Sequence, residues 1–207
     1  MSNIKVCVID GGTSKAIEMM IRHRLYYELT YNPSQADIII ISGGADISPS
    51  WYGEMALPGT HPNLDQDLSE FAAITYALNN GVPLAGICRG AQFINCLAGG
   101  RLRQDVTKHR GQNHQVQDKD GGLFTVNSLH HQMMVPSERT NYELLLWANE
   151  GSQDTFEKKP IITEVEALFY PDMAALCFQP HPEFGNSGNT TELFFNYVEN
   201  LLLGIQN

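Results

Sequence analysis

The chain has 207 residues, of which 43% are hydrophobic, 17% charged and 9% aromatic. This composition is typical of a globular protein and excludes a disordered or fibrous one. The formal net charge of -10 argues against nucleic acid as the main partner, because binding phosphates requires a surplus of lysine and arginine on some surface. At this length we expect residues 1–207 to form a single domain.

The sequence carries no pattern that indicates export or membrane insertion. Residues 1–10 have a short polar start followed by alternating apolar residues, unlike a signal peptide. No apolar run approaches the roughly 18 residues that a membrane-spanning helix needs. Four cysteines, Cys7, Cys88, Cys96 and Cys177, lack the spacing of a zinc ribbon or a disulfide framework. We therefore expect a cytoplasmic protein with Cys7 and Cys177 buried in its core.

The first half of the chain alternates predicted strands with predicted helices. Strands are predicted at residues 4–9, 37–41 and 82–87, and the last two are continuous apolar runs, typical of strands buried on both faces. Helices are predicted after the first strand and between residues 64 and 81. This alternation indicates βαβ units, and hence an α/β fold with a mainly parallel central sheet covered by helices on both faces.

The helix predicted before Gly81 has a stripe of apolar side chains at helical spacing. The stripe consists of Leu64, Leu68, Phe71, Ala72 and Leu78. Because a helix that covers a sheet buries its apolar side chains, we expect this stripe to face the sheet. Gly81 is expected to end the helix.

Two other regions have a different character. Residues 45–63 contain three prolines and the pair Trp51 and Tyr52, which predicts a long ordered loop of the kind that often serves function. Beyond Gly100, short strand-like runs predict a small, partly antiparallel sheet in the C-terminal half. An amphipathic helix is predicted near the end of the chain, from Leu193, Phe194, Tyr197, Val198, Leu201 and Leu202.

A cysteine stands where a buried strand turns into a predicted helix. Cys88 has glycine two residues before it and two residues after it, at Gly86 and Gly90. A nucleophile elbow requires this context, because a side chain at either glycine would crowd the sharp turn. The following amide, of Arg89, is expected to donate to an oxyanion formed when Cys88 attacks a carbonyl. The alternative is a buried cysteine in a glycine-rich turn.

A thiol nucleophile needs a histidine as acid and base, and a third group that orients the ring. His181 follows a buried strand and lies between Pro180 and Pro182, which favour an extended backbone. Extended residues two apart point to the same side, so Glu183 can bond the His181 ring. We therefore predict a catalytic set of Cys88, His181 and Glu183. Considered without Cys88, His181 and Glu183 could be a loop histidine and a solvated carboxylate.

With these residues assigned, the chain resembles the class I glutamine amidotransferase family, a peptidase C26-like group. That family has an elbow of pattern GxCxGxQ and a later HPE segment, which residues 86–92 and 181–183 match. Within it the chain is most similar to the γ-glutamyl-γ-aminobutyrate hydrolase group. The similarity rests on GGADISPSWYGE at residues 43–54, GICRG at residues 86–90 and VNSLHHQ at residues 126–132.

This resemblance implies a flavodoxin-like sheet and hydrolysis of a γ-glutamyl amide through a thioester on Cys88, without a cofactor. It assigns a second oxyanion-binding amide to Gly44, beside that of Arg89. It also implies a glutamyl pocket, covered by the loop of Trp51. The substrate-binding residues implied are Gln92, Asp46, Tyr52, Ser128, Leu129, His130, His131 and Gln132.

Three functions remain open at this point. The first is a free-standing hydrolase of glutamine or a γ-glutamyl-amine, which would release glutamate and ammonia or an amine. The second is a glutaminase subunit that passes ammonia to a separate synthetase or ligase subunit. The third is a non-catalytic binding module that keeps the fold. The histidines His109, His114, His130 and His131 could also be metal ligands, but we expect no metal because a thiol-histidine hydrolase needs none.

Overall fold

The computed structural model describes residues 3–185 and 189–205. Met1 and Ser2, which belong to the segment used to predict the lack of a signal peptide, lie outside this part. The strands are β1 (Ile4–Ile9), β2 (Tyr27–Leu29), β3 (Ile38–Ile41), β4 (Leu84–Ile87), β5 (Arg101–Arg103), β6 (Arg110–Gln117), β7 (Leu123–Leu129), β8 (Met133–Val135), β9 (Glu143–Ala148), β10 (Glu164–Tyr170) and β11 (Ala175–Phe178). The α-helices are α1 (Ser14–Arg22), α2 (Leu64–Asn80), α3 (Arg89–Leu97) and α4 (Thr190–Tyr197), and a π-helical segment at Val198–Leu202 continues α4.

Nine strands form one mixed sheet in the order β2-β1-β3-β4-β11-β10-β9-β6-β7. The strands from β2 to β11 in this order are parallel, and the strands from β10 to β7 are antiparallel to their neighbours. Strands β5 and β8 form a separate antiparallel pair. The predicted α/β, flavodoxin-like fold with a small second sheet is therefore confirmed. Most of the antiparallel strands extend the main sheet, because their apolar faces continue its two cores.

Two hydrophobic cores lie on opposite faces of the sheet, since side chains alternate along each strand. In β3, Ile38 and Ile40 pack in the core that contains side chains of α1 and α4. Ile39 and Ile41 pack in the other core, with side chains of α2 and α3. All four isoleucines are at most 1% exposed, as expected for a strand buried on both faces. Cys7 and Cys177 are buried, which confirms the prediction for these two thiols.

Helix α2 begins and ends where the sequence indicates but presents a different face to the sheet. Asn63 caps its start by accepting a hydrogen bond from the Gln66 amide, and Gly81 ends it in the left-handed conformation. The predicted inward stripe is wrong: Leu64 is 58%, Leu68 52% and Leu78 40% exposed. Phe71 is 38% exposed, and Ala72 is also exposed.

The buried face of α2 lies about 100° around the helix axis from that stripe, at 3.6 residues per turn. It consists of Asp67, Glu70, Ile74 and Ala77. Two carboxylates can occupy a buried face only when cations neutralise them, and both pair with the guanidinium of Arg89. The need to neutralise that buried arginine explains why the carboxylates, rather than the leucines, face the sheet.

No helix in the part of the chain that the structure describes is long and apolar enough to span a bilayer.

Replacing Ile74 with alanine is expected to lower the free energy of unfolding by about 2–5 kcal/mol, because the change leaves a cavity in a core. Leu68→Ala on the same helix is the matched control, and a change within about 0.5 kcal/mol is expected for this exposed site. Urea denaturation of both variants measures the difference. An equal loss in the two variants would contradict the orientation of α2.

Candidate active site

Cys88 lies at the sharp turn between β4 and α3, with backbone angles φ 51° and ψ -106°. A positive φ is rare for a residue with a side chain, and such strain concentrates at functional sites. The turn is held on both sides: the Cys88 amide donates to the Phe178 carbonyl at 2.9 Å, and the Gln92 amide donates to the Cys88 carbonyl at 3.0 Å. The conformation is that of a nucleophile elbow.

The two glycines that flank Cys88 are needed because backbone segments approach each other closely. A Cβ atom on Gly86 would lie 2.4 Å from the carbonyl carbon of Gly90. A Cβ on Gly90 would lie 2.3 Å from the carbonyl oxygen of Ile41, in β3. Any side chain at either position would displace the backbone that carries Cys88.

His181 reaches Cys88 because β11 is the parallel neighbour of β4, so the residues after both strands lie at the same edge of the sheet. His181 is extended, with φ -103° and ψ 92°, as its flanking prolines predict. The prediction that the extended backbone continues to Glu183 is wrong, because Pro182–Phe184 form a 3₁₀ turn, and Glu183 meets the ring through that turn. The His181 ring nitrogen Nδ1 lies 2.8 Å from Glu183 Oε1, within hydrogen-bond distance. The ring also interacts with the Cys88 thiol. The structure therefore brings together the three residues predicted as a catalytic set.

Two side chains that the sequence analysis did not assign hold the histidine. Asn127 accepts a hydrogen bond from the His181 amide at 2.7 Å, and its own side-chain amide donates to the His181 carbonyl at 2.8 Å. The Phe184 ring stacks on the imidazole, with centroids 5.1 Å apart. Asn127 lies in the VNSLHHQ segment, and its place in that segment was the sequence feature that could have identified it. Its pairing with residue 181 depends on the tertiary structure.

The charge state of His181 follows from its neighbours. Burial by itself lowers the pKa of the imidazole, but the interactions with Cys88 and Glu183 outweigh burial and raise the pKa to about 10. The imidazole therefore holds a proton at neutral pH, as the acid in a proton transfer must.

The Arg89 side chain ties the elbow to α2. It is 1% exposed and pairs with Asp67 and Glu70, which are both fully buried. Glu70 Oε1 in turn accepts a hydrogen bond at 2.8 Å from Gln66 Nε2. A Cβ atom on Gly44 would lie only 2.2 Å from this Gln66 nitrogen, so the Gly44 backbone packs closely against the Gln66 side chain. The two residues predicted to supply oxyanion-binding amides, Arg89 and Gly44, are thus both braced by α2.

Asp46 and Tyr52, predicted to bind substrate, lie in or beside the loop that includes a 3₁₀ turn at Pro49–Tyr52. Asp46 Oδ1 lies 2.9 Å from His131 Nε2, and Oδ2 accepts a hydrogen bond from the His61 amide at 2.8 Å. Burial acts to raise the Asp46 pKa, but these bonds bring it below its ordinary value. The buried Tyr52 hydroxyl has no hydrogen-bond partner among residues 3–185 and 189–205.

The predicted substrate-binding residues of the VNSLHHQ segment differ in burial and in their contacts. Ser128 is fully buried and donates to the His109 carbonyl at 2.6 Å. His130 is 3% exposed and lies with other histidines, whereas Leu129 is 50% exposed. His131 is bound to Asp46, as described above. These roles therefore stay predictions.

Gln92, on α3, and Gln132 are brought together near the elbow. Gln92 Nε2 donates to the carbonyl of Gln132 and to the side chain of Gln179, both at 3.2 Å. The Gln132 side chain is 1% exposed, and within the described part of the chain neither its nitrogen nor its oxygen has a hydrogen-bond partner. An unpaired buried amide of this kind is available to a ligand.

Arg89→Met is expected to destabilise the protein by about 3–5 kcal/mol, because it leaves the carboxylates of Asp67 and Glu70 buried without a cation. Arg101→Met is the control, since Arg101 is half-exposed and pairs with Glu54 at 3.5 Å. That pair is expected to contribute less than about 1 kcal/mol. Equal denaturation midpoints for the two variants would refute the bracing function of the buried pair.

The raised pKa of His181 predicts a pH-dependent contribution to stability. The contribution is fully present below the ordinary pKa of 6.5 and is lost as pH rises through the folded-state pKa of about 10. We therefore expect the difference in unfolding free energy between the parent protein and His181→Gln to shrink across this interval. Urea denaturation at a series of pH values measures it, and a difference that grows with pH would contradict the assignment.

Comparisons with known proteins agree with this architecture. The family model described as Peptidase C26 matches residues 24–153. Protein NtpR of Enterococcus hirae is 31% identical over 193 residues, covering 80% of this chain and 75% of NtpR. The carbamoyl phosphate synthase small chain of Polynucleobacter asymbioticus is 26% identical, covering 96% of this chain but 46% of that protein.

Among solved structures, PurLQS from Thermotoga maritima superposes with a TM-score of 0.66 at 15% identity, covering 96% of this chain and 99% of that chain. At this identity the superposition shows the fold alone. The family match spans more than half of the residues, and the NtpR similarity extends over most of both chains. The chain therefore belongs to the Peptidase C26 family, among the class I glutamine amidotransferase-like proteins.

Proposed function

We propose that this protein hydrolyses γ-glutamyl amide bonds, of glutamine or of a γ-glutamyl-amine, through a thioester on Cys88. One observation carries the proposal: a cysteine on a strained elbow interacts with a histidine whose Nδ1 lies 2.8 Å from a buried carboxylate. These are the parts that a thiol nucleophile, its acid-base partner and an orienting group require. The family membership supports the same reaction class.

In the proposed reaction the Cys88 thiolate attacks the γ-carbonyl carbon. The oxyanion that forms accepts hydrogen bonds from the backbone amides of Gly44 and Arg89. Protonated His181 gives its proton to the leaving nitrogen, which departs as ammonia or an amine and leaves a thioester. His181 then accepts a proton from water, which attacks the thioester and releases glutamate. Glu183 holds the imidazole in orientation throughout.

For substrate binding we propose the neighbourhood of Gln92 and Gln132. The unpaired, buried amide of Gln132 offers both a donor and an acceptor to the polar groups of a glutamyl moiety. The remaining members of the predicted pocket, including Asp46, Tyr52 and His131, would shape its wall. Residues 43–54 and the GICRG elbow are similar to those of the γ-glutamyl-γ-aminobutyrate hydrolase group. This similarity favours a substrate of the class that this group hydrolyses.

The experiment combines a substrate panel with detection of the covalent intermediate. Purified protein is mixed with glutamine and several γ-glutamyl-amines, glutamate release is measured, and the Cys88 adduct is sought by mass spectrometry. We expect Cys88→Ala to lose the adduct and at least about 1,000-fold in kcat, since removing a nucleophile disables the whole catalytic set. Cys96→Ala, which removes a buried thiol on α3, is the matched control and is expected to keep activity. Glu183→Gln is expected to lower kcat more than it changes KM.

Release of glutamate by Cys88→Ala at the parent rate would refute the mechanism. A folded protein that forms no adduct and releases no glutamate with any substrate would instead favour the non-catalytic binding module.

A glutaminase subunit that supplies ammonia to a separate synthetase is the second candidate. The similarity to a carbamoyl phosphate synthase small chain, by its name one chain of a larger synthase, favours it. Purification from the native host discriminates the two. A lone species with full hydrolase activity supports the free-standing enzyme, whereas glutaminase activity that depends on a copurifying chain supports the subunit.

A further inference from the structure

A cluster of three histidines and one glutamate lies in the interior, and it includes His130, one of the residues predicted to bind substrate. His109 and Glu166 are fully buried, His130 is 3% exposed and His114 is 7% exposed. The four side chains come from the residue before β6, from β6 itself, from the residue after β7 and from β10. Long-range pairing of these strands therefore creates the cluster.

The three imidazoles converge on a single carboxylate oxygen. His109 Nδ1 lies 3.3 Å, His114 Nε2 3.2 Å and His130 Nε2 3.5 Å from Glu166 Oε1. Ordinary N–H···O hydrogen bonds are about 2.7–3.2 Å long, so these separations are at or beyond that limit. Both Glu166 oxygens, both His114 nitrogens and His130 Nε2 lack a hydrogen-bond partner within residues 3–185 and 189–205.

Leaving a carboxylate buried in this way without a partner is costly. The separations instead fit ligands around one ion: with metal–ligand bonds of about 2.0–2.1 Å, two donors at tetrahedral angles are about 3.3 Å apart. Donor atoms of His109, His130 and Glu166 all lie within 4.8 Å of one another.

An outer hydrogen bond orients one of the rings as metal sites require. His109 Nε2 faces Glu164 Oε2 at 3.4 Å, which is longer than a hydrogen bond. His130 Nδ1 lies 2.9 Å from the Gln132 carbonyl, which can only accept a hydrogen bond. Nδ1 therefore carries the proton, and in the neutral ring Nε2 presents a lone pair to Glu166. Metal-bound histidines characteristically donate their second N–H to a carboxylate or a carbonyl in this manner.

We infer that His109, His130 and Glu166 form a binding site for a divalent transition cation of the zinc class, with His114 beside it. One such ion would neutralise the charges of Glu164 and Glu166 together. Because its ligands come from the β6 region, β7 and β10, the ion would fasten the antiparallel part of the sheet. It takes no part in the proposed chemistry at Cys88.

Metal uptake by the whole chain tests this inference. Protein made without a histidine tag is stripped with a chelator, dialysed and titrated with Co²⁺ alone, and absorption in the visible range and bound metal are measured. We expect one equivalent to bind, with the intense d–d bands of four-coordinate cobalt, and Zn²⁺ to displace it. A rise in Tm on metal addition is expected as well, because a ligand that binds only the folded state stabilises it.

Cys88→Ala separates this site from the proposed nucleophile. Bands retained in that variant support the inference, even if the protein shows no hydrolase activity, whereas bands lost with Cys88 overturn it. Glu166→Gln is expected to lower cobalt affinity at least about 100-fold, and His23→Gln, which changes an exposed histidine outside the cluster, is the control. Failure of the stripped parent protein to take up one equivalent of Co²⁺ or Zn²⁺ overturns the inference without reference to any variant.

Discussion

The positive φ of Cys88 is the constraint on which the rest of the site depends. Placing a side chain at φ 51° is unfavourable, so the surrounding structure must hold it there. It does so through the hydrogen bond from the Cys88 amide to β11 and through the contact between Gly90 and β3. A strand neighbour on each side therefore fixes the turn, and the same parallel arrangement brings the residues that follow β3 and β11 to the thiol.

The buried charge of Arg89 is the second organising feature. Its backbone amide begins α3 beside the thiol, and its side chain ends among carboxylates of α2. Because a buried guanidinium requires anions, α2 turns Asp67 and Glu70 inward and leaves a stripe of leucines exposed. Electrostatic neutralisation near the site thus outweighs the burial of apolar surface that the helical pattern alone would favour.

Residues from two separate parts of the chain hold the imidazole of His181 in place. The chain after β11 supplies the ring and its carboxylate, Glu183. Strand β7 supplies Asn127, which fixes the backbone of His181 by two hydrogen bonds. The same segment continues into His130, so the strand that positions the histidine next to the thiol also carries a ligand of the inferred cation site. A cation there would stiffen the support of His181 without touching the reacting atoms.

The sequence by itself determined the elements that depend on local pattern. The apolar run at Ile38–Ile41, the glycines around Cys88 and the prolines around His181 each predict the backbone at that place, because strand burial, close approach and proline geometry are local constraints. What only the tertiary structure decided are relations between distant residues. The inward face of α2 depends on Arg89, the anchoring of His181 on Asn127, and the histidine cluster on the pairing of strands that lie far apart in the chain. Such contacts follow from sheet order and register, which local hydrophobic pattern does not encode.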